Sequence, residues 1–232
     1  MSNVDVKFKF GLRGVSVTSL FLGSLMSMLL LFSLFSCVLV VGAADSLEVG
    51  DESELVAAVE GAVSGVPVVI ALNDDIVLSN SLSISDGKNV TLVSVGDAEF
   101  SLVGANGVST IVVEGGGELR LDGIVVTHAV DAIGCGVNVT SGGLLIMYSG
   151  MIFNNDDVSD GGGVVNYGNF TLSGGEIFDN APCGVFNSGN FTMSGGKIFS
   201  NVGSGVTIYS GGNFTMSDGE ICQNVADIGG GV

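Results

Sequence analysis

The segment NFTLSGG at Asn169 returns as NFTMSGG at Asn190 and as NFTMSDG at Asn213, at steps of 21 and then 23 residues. A second phrase keeps time with it. Gly-Val pairs recur at Val137, Val164, Val185, Val206 and Val232, and a phrase ending in asparagine closes at Asn155, Asn180, Asn201 and Asn224. Inside the phrases register is kept, while the turns between them vary in length. This is the mark of stacked structural units whose insertions are confined to loops.

One unit, read from Gly184 to Asn201, contains three short strand-like pieces, VFN, FTM and KIF, separated by glycines. Phe191 and Met193 share one face of their strand and Thr192 takes the other. Ile152, Ile177, Ile198 and Ile221 hold the same place in four copies, so they are expected to point inward. A 21-residue coil cannot bury such a face alone. Stacking each strand on its equivalent, about 4.8 Å away, closes a continuous interior. The fold class predicted is therefore all-β: a right-handed parallel β-helix with a short N-terminal capping helix.

Within the stack the four asparagines are expected to form a ladder at one corner, bonding along the axis. Cys135 and Cys183 fall at equivalent corners two coils apart, about 10 Å, too far for a disulfide. Cys222 stands where Phe153, Phe178 and Phe199 stand and reads as a free thiol.

Upstream, Asp51 followed by Glu54 predicts a capped helix start, with Leu55, Val56 and Val59 on one side and a stop near Gly61 or Gly65. Short strand-like runs follow: PVVIAL, DIVLS, SLSIS, NVTLVSV, FSLVG, STIVVEG and ELRLDGIVVT. Residues 45–65 are assigned to a linker and capping helix and 66–232 to the β-helix. The closing DIGGGV matches the DGGGV that opens a coil at Asp160, so the expectation is of a coil cut short at Val232.

Residues 1–44 are of a different kind. Lys7, Lys9 and Arg13 precede a stretch without charge from Gly14 to Ala44, and Val41-Gly42-Ala43 ends it. This reads as a secretory signal cleaved after Ala43 or Ala44, or as a retained membrane-spanning anchor with its basic end inside. A lipid attached at Cys37 is a third reading, opposed by the bulky Phe35 and the apolar tail beyond. The first two place the rest of the chain outside the cytoplasm, secreted or on the cell surface. From Asp45 onward 23 acidic residues face only Lys88, Arg120 and Lys197, a net of −20. Such a surface repels nucleic acid and anionic lipid headgroups.

The phrases GGGVVNYGNFTLSGGEIFDN and GVFNSGNFTMSGGKIFSN resemble the β-helix repeats of large adhesin-like surface proteins of methanogenic archaea and gut bacteria. They are distantly similar to the GG-A-[IL] and F-x-x-N repeats of polymorphic outer-membrane proteins, the second motif surviving here only in altered form at Phe153-Asn154-Asn155 and Phe178-Asp179-Asn180. The stretch from Glu48 to Gly96 is similar to the opening coils of pectate-lyase-like domains. The resemblance implies a β-helix serving either adhesion or polysaccharide chemistry.

The function expected is non-catalytic, adhesive or structural, with surface glycans or proteins as partners. The alternative is a polysaccharide hydrolase or lyase. A hydrolase needs paired carboxylates, and Asp156, Asp157 and Asp160 lie in a lengthened loop. The same three are candidate Ca²⁺ ligands through oxygen, against a plain solvated turn. No other cofactor is expected. A lyase needs a base, for which only His128, Arg120, Lys88 and Lys197 are available, and His128 stands alone in VVTHAV. Asn-x-Thr sequons occur at Asn89, Asn138, Asn169, Asn190 and Asn213, three of them products of the repeat itself.

Overall fold

A computed structural model describes residues 46–157, 161–227 and 229–232. It is a parallel β-helix of about seven coils with three walls. Wall 1 stacks Leu47–Val49, Pro67–Leu72, Asn89–Ser94, Glu118–Asp122, Leu144–Met147, Asn169–Leu172 and the first halves of Asn190–Phe199 and Asn213–Cys222. Wall 2 stacks Ile76–Val77, Phe100–Gly104, Ile124–His128, Gly150–Phe153, Glu176–Phe178 and the second halves of the same two long strands. Wall 3 is a separate sheet of Leu82–Ile84, Ile111–Val113, Val137–Val139, Val164–Asn166, Cys183–Asn187 and Ser204–Ile208. The strand-like runs read from the sequence are these strands. Coils are numbered here from Pro67, so that coil 5 begins at Asn169, coil 6 at Asn190 and coil 7 at Asn213.

The repeats set the register. Phe170, Phe191 and Phe214 pair in sequence and stack inside wall 1 with ring centroids 4.7 and 4.8 Å apart. Ile152, Ile177 and Ile198 form the inward column of wall 2, and Val137, Val164, Val185 and Val206 that of wall 3, all fully buried. Outside wall 2, Phe153, Phe178 and Phe199 stack at 5.1 and 5.0 Å, and Cys222 continues their column. Cys135 and Cys222 are not in disulfides. Cys135 and Cys183 share a small buried cluster with Val165 and Phe186.

Walls 1 and 2 meet at an aligned glycine, Gly175, Gly196 or Gly219, with φ of 85°, 79° and 101°. That left-handed backbone excludes most side chains and explains the Gly-Gly and Asp-Gly of the repeat. Between walls 2 and 3 the left-handed residue is Asn154, Asp179, Ser200 or Gln223, with φ between 51° and 56°. Each immediately precedes a ladder asparagine.

The helix α1, Glu52–Gly61, covers the first coil. The Glu54 N–H donates to the Asp51 side chain at 2.9 Å, and Leu55 and Val59 are buried. Glu52 accepts from both the N–H and the hydroxyl of Ser79, tying the helix to the first loop. The strand Leu47–Val49, which the sequence reading had as linker, extends wall 1 by pairing with Ile70–Leu72. Its three residues are too few to show a period.

The expectation of a membrane-spanning segment is corrected. Among the described residues no helix is long and apolar enough to cross a membrane. The ten residues of α1 reach roughly 15 Å, half of a bilayer's hydrocarbon thickness. The stretch 1–44, to which signal and anchor were both assigned, lies outside the described residues.

Candidate functional site

The corner between walls 2 and 3 carries the recurring asparagine, the histidine and the acidic residues Asp156 and Asp157. The asparagine ladder is there. Asn155 Nδ2 donates to Asn180 Oδ1 at 2.9 Å, Asn180 to Asn201 at 3.0 Å and Asn201 to Asn224 at 2.8 Å. Asn155, Asn180 and Asn201 each also donate to the carbonyl two residues before and to one in the preceding coil. Asn155, Asn180 and Asn201 are fully buried.

His128 completes the ladder at its upper end. It is 2% exposed, with Nδ1 2.8 Å from Asn155 Oδ1 and Nε2 3.0 Å from the Val108 carbonyl. Thr110 is buried beside it, 3.4 Å from Nδ1. The ring fits because Gly104 and Gly134 carry no side chain. A Cβ on either would lie 2.5 or 2.4 Å from Nε2. This histidine is a buried group packed within the stack.

Over this corner the connections lengthen in consecutive coils. Walls 2 and 3 are joined by 78–81 in coil 1, 105–110 in coil 2, 129–136 in coil 3 and 154–163 in coil 4, then shorten again to 179–182 and 200–203. The long loops continue the stack through backbone bonds, Gly107 N–H to Ile133 and Gly134 N–H to Asp156, both at 2.6 Å. They enclose an open groove lined by Ser81, Val108, Ser109, Ile133, Cys135 and Asp157. Asp156 is exposed and bridges to Ala181, Asp157 is half-buried in the groove, and Asp160 lies outside the described residues. Among the described residues no group of three or more His, Cys, Asp or Glu is placed to hold a metal ion. Arg120 is drawn away on the outside of wall 1, paired with Glu118 and donating to Asn89. Lys197 pairs with Glu220 at 3.3 Å on wall 2.

The corner between walls 3 and 1 holds a second ladder that the sequence reading missed. Asn166 Nδ2 donates to Asn187 Oδ1 at 2.7 Å and to the Asn190 carbonyl, and Asn187 donates to the Asn213 carbonyl. The signal was the shared asparagine of GVVNY and GVFNS, 21 residues apart, which ends at Ile208 in the next coil. Beside this corner the outer face of wall 1 is regular. Asn169, Asn190 and Asn213 form one exposed column in register and Thr171, Thr192 and Thr215 a second. Ser173 and Ser194 begin a third. On the wall 3 side Phe186 lies between Tyr167 and Tyr209, with centroids 6.0 and 5.6 Å away.

Comparison with family models, with curated proteins and with solved structures finds no match. The parallel β-solenoid is consistent with the broad adhesin-like and pectate-lyase-like group, and it accommodates a binding or a carbohydrate-active role alike.

Proposed function

We propose that this chain is a non-catalytic solenoid, exported from the cytoplasm, that binds or presents on its outer faces. The observation that carries this reading is the fate of the recurring polar residues. The ladder asparagines and the single histidine are hydrogen-bonded within the stack, where they hold coil to coil. What they leave for recognition are rigid outer walls and one flank of lengthened loops. Export follows from the basic lead and uncharged run of residues 7–44. Its partners would be surface glycans or proteins.

Polysaccharide hydrolysis is the second reading, favoured by Asp157 in the groove with Asp156 beside it. Glycoside cleavage uses two carboxyl groups flanking the bond. Consecutive residues of an extended chain point to opposite sides, which opposes such convergence. A glycan array and a polysaccharide-release assay, with and without Ca²⁺, separate the two. Binding without release is expected. Release that disappears in the Asp156→Asn, Asp157→Asn double variant would make the chain an enzyme.

A further inference from the structure

The distribution of charge around coils 4 to 7 is uneven in a way the fold does not require. No charged residue occurs from Gly161 to Gly175, from Asn180 to Gly196, or from Ile198 to Ser217. These spans include wall 3, its corner with wall 1, and the whole of wall 1 in three successive coils. Elsewhere the same walls carry Lys88, Glu114, Glu118 and Arg120. Solvated outward positions tolerate charge, and the neighbouring outward column on wall 2 shows it, running Glu176, Lys197, Glu220. The asparagine and threonine columns are unchanged over the same three coils.

The uncharged face combines two kinds of contact. On wall 1 amides and hydroxyls repeat about 4.8 Å apart along the stack and about 6.6 Å apart along each strand. The threonine hydroxyls have no hydrogen-bond partner among the described residues. Their β-branched side chains are stiff, so little freedom is lost when they are engaged. Around the glycine corner Tyr167 is 41% and Tyr209 62% exposed, flanking the buried Phe186. Ring surface for the apolar side of a ligand thus borders hydrogen-bonding groups for its polar side.

We propose that this face binds a neutral, polyhydroxylated chain, an uncharged polysaccharide laid across coils 4 to 7. The proposal rests on the binding reading above and adds its ligand class and location. A sugar ring presents C–H groups to an aromatic side chain and hydroxyls to amides and hydroxyls, and the face offers both without a charge to neutralise. A protein partner is disfavoured by the absence of arginine, tryptophan and tyrosine, the usual interface anchors, from the wall 1 strands of coils 5 to 7.

The test is calorimetric titration of the full chain with cellohexaose, N-acetylchitohexaose and laminarihexaose, with hexagalacturonate as the charged comparator. At least one neutral hexasaccharide binds and the acidic one does not. Tyr209→Ala and Thr192→Lys each weaken binding about tenfold or more, Tyr209→Phe retains most of it, and Asp157→Asn leaves it unchanged. Both main positions are exposed, so folding is preserved, and circular dichroism verifies it. No binding to any neutral hexasaccharide overturns the proposal, as does binding indifferent to Tyr209→Ala and Thr192→Lys. If binding is instead lost in Asp157→Asn, the ligand lies at the loop groove; the binding reading then stands and this face is wrong. Silence toward these sugars and toward every glycan and protein offered would remove both.

Discussion

His128 Nδ1 lies 2.8 Å from Oδ1 of Asn155, so the single histidine serves as the rung before the asparagine ladder. The direction of this bond is fixed. Asn155 Nδ2 faces the Val126 and Phe153 carbonyls and Asn180 Oδ1, which leaves Oδ1 to accept from the ring. Replacing His128 by Leu deprives the buried Asn155 Oδ1 of its ring donor. A loss of about 1–3 kcal/mol in unfolding free energy is expected from urea titration. Gly134→Ala should also destabilise, because its Cβ would sit 2.2 Å from the Val108 carbonyl oxygen. An undiminished His128→Leu variant would show that the rung is not structural.

The ladder predicts a gradient along the axis. Asn180 is fully buried, donates to Asn201, Ile152 and Phe178, and accepts from Asn155. Asn224, in the last coil, is half-buried and has the Asn201 side chain on one side only. Asn180→Ala should cost about 3 kcal/mol and Asn224→Ala clearly less, since a group left in contact with water recovers its hydrogen bonds there. Equal losses would contradict the arrangement.

The capping helix should loosen in acid. Asp51 is held below the ordinary carboxylate value by the Ser53 hydroxyl and then the Glu54 N–H. Glu52 is held below it by the Ser79 N–H and then the Ser79 hydroxyl. A carboxylate lowered in the folded state stabilises it above the unfolded-state value, and this contribution disappears as pH falls through the folded-state value. The small helical signal in circular dichroism should therefore weaken as pH falls below the ordinary carboxylate range of about 4, while the β signal persists. Glu52→Gln should weaken the helix already at neutral pH. A helix indifferent to both changes would refute the tie to Ser79.

Much of this architecture was legible because the repeats are near-copies. Identical phrases one coil apart fix register, and register places Ile198 inward and Asn201 at a corner without reference to any pair of coordinates. His128 was not legible as a rung. VVTHAV belongs to no repeated phrase, and only the pairing of Ile124–Val126 with Gly150–Ile152 brings it above Asn155. Asn166 and Asn187 were hidden for a related reason. A ladder of two ends before it establishes a period. Asp156 and Asp157 were visible as a lengthened loop, but sequence could not show that the loops of coils 2, 3 and 4 stack into one groove.

The thiols should report the stack directly. Cys135 is buried with its thiol pushed up chiefly by burial, and Cys183 is buried in the same cluster. Cys222 is half-buried on the outside of the last coil, where its thiol is raised mainly by the hydrogen bond with the Glu220 carboxylate. Alkylation needs both access and thiolate. Native protein at neutral pH should therefore be modified slowly, at Cys222 before Cys135 or Cys183, and Glu220→Gln should quicken that reaction by removing the anion that opposes a thiolate. Urea should release the other two together, because they share one small buried cluster with Val165 and Phe186. Peptide mapping by mass spectrometry follows each site separately. Early modification of Cys135 in folded protein would mean that the wall 3 corner opens on its own, and the groove above it could not then be a rigid surface.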